Sequence, residues 1–358
     1  MSSPTRSRYG ATRGEVEALL DGWGEPRYRA GQLWGALYAE VRPLDDVTTL
    51  PRTLRSRLAD ALPLTLDLVT EATAHDTMTT KWLWACTRDR TQIETVLMRS
   101  PTRATVCVSS QAGCAMGCTF CATGQAGFER QLDAAEIVEQ VLRAAHTSPQ
   151  RVRNVVFMGM GEPLANYDAT WAAIERLHDD LGISARRITV STVGVVPGIR
   201  RLALERLPVT LAVSLHAATD DERSELVPLN QRYPIAEVLD AAADFAGARG
   251  RRVSFEYACI AGVNDSVAQA EALGRLLGSF PGAGGAHVNL IPLNPTAGFG
   301  GEATATPRLR AFAERVRARG VTATVRRNRG TDIAAACGQL RARDAIPHPA
   351  LGSATMST

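Results

Sequence analysis

Three of the chain's seven cysteines fall within eight residues, Cys114-Ala115-Met116-Gly117-Cys118-Thr119-Phe120-Cys121. Thiolates at i, i+4 and i+7 on one loop can converge on one soft metal centre, and sulfur ligands select zinc, copper(I) or an iron–sulfur cluster. A structural zinc site needs four Cys or His ligands, and a ferredoxin-type cluster needs a fourth cysteine nearby. No cysteine follows Cys121 until Cys259. A cluster held by three cysteines keeps one iron open to a small molecule, as a catalytic zinc keeps one position open. That open position predicts an enzyme. The competing arrangement is a zinc knuckle that takes Cys107 as its fourth ligand.

Other residues repeat one topological theme. Gly159-Met160-Gly161-Glu162-Pro163-Leu164 directly follows the apolar run 154–158. Its glycines let backbone approach a ligand closely, and Glu162 can accept a hydrogen bond from an ammonium group. Ser191, the Ser214-Leu215-His216 triplet and Asn294 each end a predicted strand, where polar side chains face a pocket mouth. Taken singly, each is an ordinary turn or cap residue; their shared position makes them candidate ligand contacts. Cys107 and Cys337 on their own read as two buried thiols, the usual fate of a free cysteine.

Positioning these residues needs a parallel sheet. Strand-like runs at 154–158, 187–191, 209–214, 252–260 and 287–293 alternate with helical patterns near 133–146, 168–181, 197–206, 234–248 and 266–278. With the strand at 104–110 that leads into the cysteine loop, this makes about six β/α units, followed by a helix at 306–319 and a strand near 321–325. Six units are too few to close an eight-fold barrel, so the expectation is an α/β fold with an open, partial (β/α)6 barrel over 100–344. Before it, 13–64 reads as three short helices forming a small accessory domain, and 65–99 as a short antiparallel β extension. Residues 1–12 and 345–358 are expected to be disordered.

At 358 residues and 45% hydrophobic composition the chain can bury a large core. It contains no run of eighteen apolar residues and no apolar signal core, which predicts a soluble, cytoplasmic protein without a membrane partner. An odd cysteine count with a tight cluster argues for metal and redox chemistry over a disulfide scaffold. The net charge is only +3, yet Lys81 is the single lysine and every other cationic residue of the 40 is arginine. Arg308, Arg310, Arg315, Arg317, Arg319, Arg326, Arg327, Arg329, Arg341 and Arg343 crowd the C-terminal stretch, a basic surface suited to a phosphate backbone or simply a solvated helix face.

With Phe120 before its last cysteine, the C-x3-C-x2-C loop resembles the signature of radical S-adenosylmethionine (SAM) enzymes. Gly159 to Leu164 looks like the motif by which those enzymes hold the SAM amino group. The neighbourhoods of Glu94, Cys107 and Cys337 narrow this: together with Tyr28-Arg29-Ala30-Gly31-Gln32-Leu33 and Ala336-Cys337-Gly338-Gln339-Leu340 they resemble the RlmN and Cfr family of radical SAM adenosine methyltransferases. The resemblance implies a radical SAM barrel with one [4Fe-4S] cluster on Cys114, Cys118 and Cys121, and SAM near Gly161, Glu162, Ser191, Ser214, Leu215, His216 and Asn294. It also implies that two SAM molecules are consumed per methylation. Cys337 would carry the methyl group, Cys107 would resolve the enzyme–RNA link by a disulfide with Cys337, and Glu94 would be the base. The substrates implied are an adenosine at the peptidyl-transferase centre of 23S rRNA and the adenosine beside the anticodon in tRNA. A flavodoxin- or ferredoxin-like electron donor and a monomeric enzyme complete the expectation. Methylation falls on adenine carbon 2 in the RlmN branch and carbon 8 in the Cfr branch. Outside this family stand a non-catalytic zinc-containing RNA-binding module and a radical SAM enzyme acting on a small molecule.

Overall fold

The computed structural model describes residues 7–281, 284–326 and 328–340, and the chain opens there on helices. These are α1 (Arg13–Gly22), α2 (Tyr28–Trp34) and α3 (Arg52–Ala61). Helix α1 starts where it does because Thr12 and Glu15 form a capping box, each side chain bonding the other's backbone N–H. Expected disorder does not reach residue 12. Residues 1–6 lie outside the described residues, but Tyr9 and Ala11 are buried, with the Tyr9 ring edge-on to Tyr38 at 6.2 Å. A polar composition hid two core residues, and burial of each offsets the entropy of ordering its neighbours.

A three-strand antiparallel meander follows: β1 (Leu66–Thr73), β2 (Thr79–Cys86) and β3 (Gln92–Ser100). Strand β4 (Arg103–Cys107) pairs antiparallel with β3 and starts the parallel series. Next, β5 (Gln111–Gly113) and β6 (Phe128–Gln131) form a separate two-stranded ribbon, with helix α4 (Ala122–Ala126) between them. The strands that continue from β4 are β7 (Val152–Phe157), β8 (Ile188–Thr192), β9 (Thr210–Ser214), β10 (Val253–Cys259), β11 (Ala286–Pro292) and β12 (Thr322–Val325). Linking them in chain order are α5 (Ala134–Thr147), α6 (Tyr167–Asp179), α7 (Val196–Leu204), α8 (Asp220–Leu226), α9 (Ile235–Arg249), α10 (Val267–Gly278) and α11 (Thr306–Arg317).

The sheet order β1-β2-β3-β4-β7-β8-β9-β10-β11-β12 is open, as the partial barrel requires. The reason is specific. Strand β4 is already paired with β3 on one edge and β7 on the other, so β12 has no edge to close against. The antiparallel extension is therefore continuous with the barrel sheet.

Two local features escaped the periodicity. The strand expected over 104–110 leaves the ladder after Cys107 because Gln140 on α5 takes both backbone groups of Ser109, accepting from its N–H at 2.9 Å and donating to its carbonyl at 3.0 Å. Helix α8 has no apolar stripe to announce it; Thr219 caps its first turn and three acidic residues face the positive end of its dipole.

The N-terminal helices share the main core. The Trp34 indole N–H donates to Asp180 at 3.3 Å, and the Arg176 guanidinium lies over the rings of Trp34 and Tyr38. On α5, buried Ile137, Val141 and Leu142 each contribute about 1.5–3 kcal/mol of burial. Among the described residues no helix is long and apolar enough to cross a membrane.

Candidate active site

The C-terminal ends of the parallel strands meet in one cavity. Its wall includes Cys114, Cys118 and Cys121, Gly161 and Glu162 after β7, Ser191 of β8, Ser214 and His216 at the end of β9, Asn294 after β11, and Cys337 from the terminal loop. Leu215 is not on that wall. Its side chain is buried in the core and its N–H donates to the Glu256 carbonyl at 3.0 Å.

The cysteine loop is a closed excursion from the ribbon β5–β6. At its root, the Cys114 N–H donates to the Gly127 carbonyl at 2.8 Å, and inside it the Cys121 N–H returns to the Cys118 carbonyl at 3.2 Å. Gly117 turns the chain with φ +65°, a left-handed conformation that favours glycine. Burial is the first cause raising the Cys114 and Cys118 thiols, Cys114 to about 12; for Cys118 the Cys121 and Cys114 charges add to it, while Arg223 opposes. A bound cation would favour their thiolate forms against that burial.

Three thiols on one cavity wall suit a cluster that keeps one position open to a ligand. Cys107, the fourth ligand of the zinc alternative, is absent from the cavity wall and has Cys337 as its charged neighbour. Asn294 also fits a ligand-binding wall. Its Nδ2 donates to the Cys337 carbonyl at 2.9 Å, while its buried Oδ1 has no protein partner.

Glu162 is held by backbone. It accepts from the Val193 N–H at 2.9 Å and the Leu164 N–H at 3.0 Å, and its own N–H donates to Gln111 at 2.8 Å. Gly161 before it has φ +96°, and a Cβ there would lie 2.5 Å from the Gln111 side chain, so only glycine fits. Burial raises the Glu162 carboxyl from 4.5 to about 7, with the Val193, Leu164 and Thr192 hydrogen bonds pulling the other way. Because the folded value is the higher one, the contribution to stability is full below about 4.5 and is lost as pH rises to about 7. Metal-free Glu162→Gln protein is therefore expected to lose up to about 3 kcal/mol of the native chain's pH dependence between those values, read by urea unfolding. Identical pH slopes for the two proteins would refute this.

His216 has φ +62°, rare outside glycine, and is kept there by its partners. Its Nδ1 accepts from the Ala258 N–H at 3.0 Å, its carbonyl accepts from Asn264 at 2.8 Å, and its ring meets Phe120 edge-on at 4.8 Å. Burial, then Arg223, lowers its pKa to about 3, so the ring is neutral with its proton on Nε2.

Sequence reasoning does not assign three charged residues to this region, and places Arg326 only in the C-terminal basic surface. Arg223 is fully buried, donating to the Leu215 carbonyl at 3.0 Å and to Asn230 at 2.8 Å, which ties the end of β9 to the segment after α8. Glu256 and Arg326 lie on the cavity wall and pair at 3.4 Å. The one available clue was an acid at 256 within an otherwise apolar strand.

Cys337 exposes its surface into the cavity. Protein crowding raises its thiol, Arg326 lowers it, and the Glu256 and Cys121 charges raise it again. Cys107 is buried at the end of β4 and its thiol is raised, first by burial and then by Cys337. On β3, paired through Val96 opposite Cys107, Glu94 is buried and forms an ion pair with Lys81 at 2.8 Å. Glu94, Cys107 and Cys337 thus gather beside the cavity that holds the triad.

Comparison with known proteins agrees with this geometry. The Radical SAM superfamily profile matches residues 108–271. A protein of Parafrankia sp. (strain EAN1pec) named "Probable dual-specificity RNA methyltransferase RlmN" is 54% identical over 96% of this chain and 94% of its own length. One of the same name from Chloroflexus aurantiacus is 48% identical, with 96% and 94% covered. The chain belongs to the RlmN family. A crystal structure of a radical SAM methyltransferase from Sphaerobacter thermophilus, 50% identical, superposes with a TM-score of 0.88 over 94% of this chain and all of that one.

As an RlmN-family radical SAM enzyme the protein is an RNA methyltransferase that uses SAM and a [4Fe-4S] cluster. Within that frame the Arg-rich C-terminal surface is less free than its composition suggests. Arg308 pairs with Asp265 at 2.9 Å, Arg315 with Glu271 at 3.3 Å, and Arg317 bonds the Ala323 carbonyl. Arg327, Arg341 and Arg343 lie outside the described residues.

Proposed function

We propose that this enzyme methylates carbon 2 of an adenosine in 23S rRNA at the peptidyl-transferase centre, and of the adenosine beside the anticodon in tRNA, through an S-methylcysteine on Cys337. The observation that carries the reading is one accessible thiol, Cys337, between the cysteine triad and a second buried thiol, Cys107. Adenine carbon 2 has no nucleophilic lone pair, so polar methyl transfer has nothing to attack with. Cys114, Cys118 and Cys121 would hold the cluster, which together with SAM would supply radical chemistry that needs no lone pair on the ring.

The chain's residues divide the remaining work. Glu162 and the unpaired Asn294 Oδ1 offer acceptors to the SAM ammonium group, and Gly161, Ser191, Ser214, Leu215 and His216 line or support the same end of the sheet. An ammonium ligand would draw the Glu162 carboxyl to its ionised form. Cys337, as thiolate, accepts one methyl group; after that methyl gives a hydrogen atom to the SAM-derived radical, its carbon would join the adenine ring and the adduct's odd electron would pass to the cluster. Glu94 would take the ring proton, and Cys107, giving up its own proton, would bond the Cys337 sulfur as that sulfur leaves the methylene carbon, which takes up a proton to become the new methyl group. A flavodoxin- or ferredoxin-like donor would supply the electron for reductive cleavage of SAM, and external thiols or an electron donor would return the disulfide to thiols. Two SAM molecules are consumed for each base.

The enzyme would act as a cytoplasmic monomer. Its helical segment 13–64 and the exposed arginines of 308–319 would grip RNA backbone, with the target base unstacked into the cavity.

The deciding experiment incubates anaerobically reconstituted enzyme with SAM, reductant and unmodified 23S rRNA or tRNA, then digests the RNA for nucleoside mass spectrometry. Expected is 2-methyladenosine from both RNAs. 8-Methyladenosine would move the enzyme to the Cfr branch, and no methylated base from either RNA would overturn the substrate assignment.

A further inference from the structure

Lys81 is not a compositional default. In a chain whose every other side-chain cation except histidine is arginine, a lysine at position 81 of β2 marks a place where arginine does not serve. Its side chain is largely covered, 16% exposed, and its partner Glu94 only 7%. The Nζ atom makes two contacts of different kinds. It pairs with the Glu94 carboxylate at 2.8 Å and donates to the Ala334 carbonyl at 3.2 Å. Ala334 lies three residues before Cys337 and has φ +50°, a left-handed conformation that costs a non-glycine residue about 1 kcal/mol or more.

Around this contact the terminal loop is fastened on two sides. On the extension side, Asp332 accepts from the His75 N–H at 2.9 Å and Arg329 donates to the Arg99 carbonyl at 2.8 Å. On the cluster side, the Gly338 carbonyl accepts from the Ala122 N–H at 2.7 Å. Lys81 is the one of these anchors that also touches the Glu94 side chain. A compact ammonium can serve a carboxylate and a carbonyl at once, whereas a planar guanidinium with five fixed donors is longer and would displace one of them.

We propose that Lys81 is a positioning residue that sets the Glu94 carboxylate and the Cys337 loop in one mutual geometry for the RNA step. The proposal rests on the reading of Glu94 as base and Cys337 as methyl carrier. Lys81 touches no substrate; it acts through Glu94 and Ala334. Methyl loading of Cys337 does not use Glu94, so loss of the lysine should fall on the adenine step.

The test uses reconstituted holoenzyme, with iron content and circular dichroism as controls for folding. Lys81→Met and Lys81→Ala should load Cys337 with labelled methyl to the native extent. Product formation from that preloaded enzyme and unmodified rRNA should fall about 10²-fold, the scale of a misplaced catalytic group. The KM for RNA should not move. Propylammonium should restore activity to Lys81→Ala, and Lys81→Arg should stay slow. Native-rate product formation by Lys81→Met, no rescue of Lys81→Ala, or loading that falls in step with product would each overturn the proposal. Glu94→Gln is measured alongside. If it turns over at the native rate, the base assignment itself fails; if it is slow while Lys81→Met is native, only the role of Lys81 fails.

Discussion

Cys337→Ala protein, incubated with SAM carrying a labelled methyl group, is expected to acquire no label. Cys337 is the only thiol outside the triad on the cavity wall. Cys86 and Cys259 are buried in the core with raised thiols, Cys86 to about 12, so neither can take over. Cys337 has the attributes of an acceptor: it is open to the cavity, its carbonyl is fixed by Asn294, and Arg326 favours its thiolate against the burial that disfavours it. Because the triad is untouched, iron content should equal that of the native enzyme while methylated RNA falls below detection. Label on the mutant protein, read by intact-mass or peptide mass spectrometry, would sink the assignment of Cys337 as methyl carrier.

Cys107→Ala should fail later and differently. Loading of Cys337 needs no second thiol, so the mutant is expected to take up one methyl and join it to RNA. Release then requires a sulfur to attack the Cys337 sulfur, and Cys107 is the buried thiol at the end of β4 that lies near enough to Cys337 for the Cys337 charge to raise it. Without it the enzyme should stall as a covalent protein–RNA adduct, seen as an RNase-sensitive band on a denaturing gel, and multiple turnover should be lost. The substitution removes one small buried group at the end of β4, a change of about 1 kcal/mol in stability, so misfolding is not an alternative cause. A Cys107→Ala enzyme that cycles at the native rate would eliminate Cys107 as the resolving thiol.

Together the two variants separate the halves of the reaction. One blocks before RNA is engaged and the other after, so a label-free Cys337→Ala protein beside a trapped Cys107→Ala adduct cannot arise from a general loss of structure. The same logic separates the Lys81 variants, which should load methyl normally yet form product about 10²-fold more slowly.

Most of the fold was legible because its signals are local. Period-two apolar runs and period-3.6 stripes located β7 to β12 and α5 to α11, apart from α8, to within about two residues, the usual uncertainty of element ends. The cysteine spacing and Gly159 to Leu164 were legible for a related reason: a ligand loop and a close-approach turn are short and contiguous, so the chemistry is written in adjacent letters. What the sequence left open involved partners far away along the chain. The end of β4 at Cys107 depends on Gln140, the ordered start of the chain depends on Tyr9 meeting Tyr38, and Leu215, one residue past β9, is buried where its N–H meets the Glu256 carbonyl on the neighbouring strand.

By itself the sequence determined the cysteine triad, the parallel α/β order and the family that those motifs resemble, since each is carried by contiguous residues whose conformation is set by near neighbours. Only the tertiary structure decided why the barrel stays open, with β3 occupying the edge of β4, and that this same β extension brings Glu94 and the single lysine to the loop of Cys337, more than 240 positions away. Such pairings depend on sheet register and on long-range closure of the chain, and no periodicity in the residues encodes either.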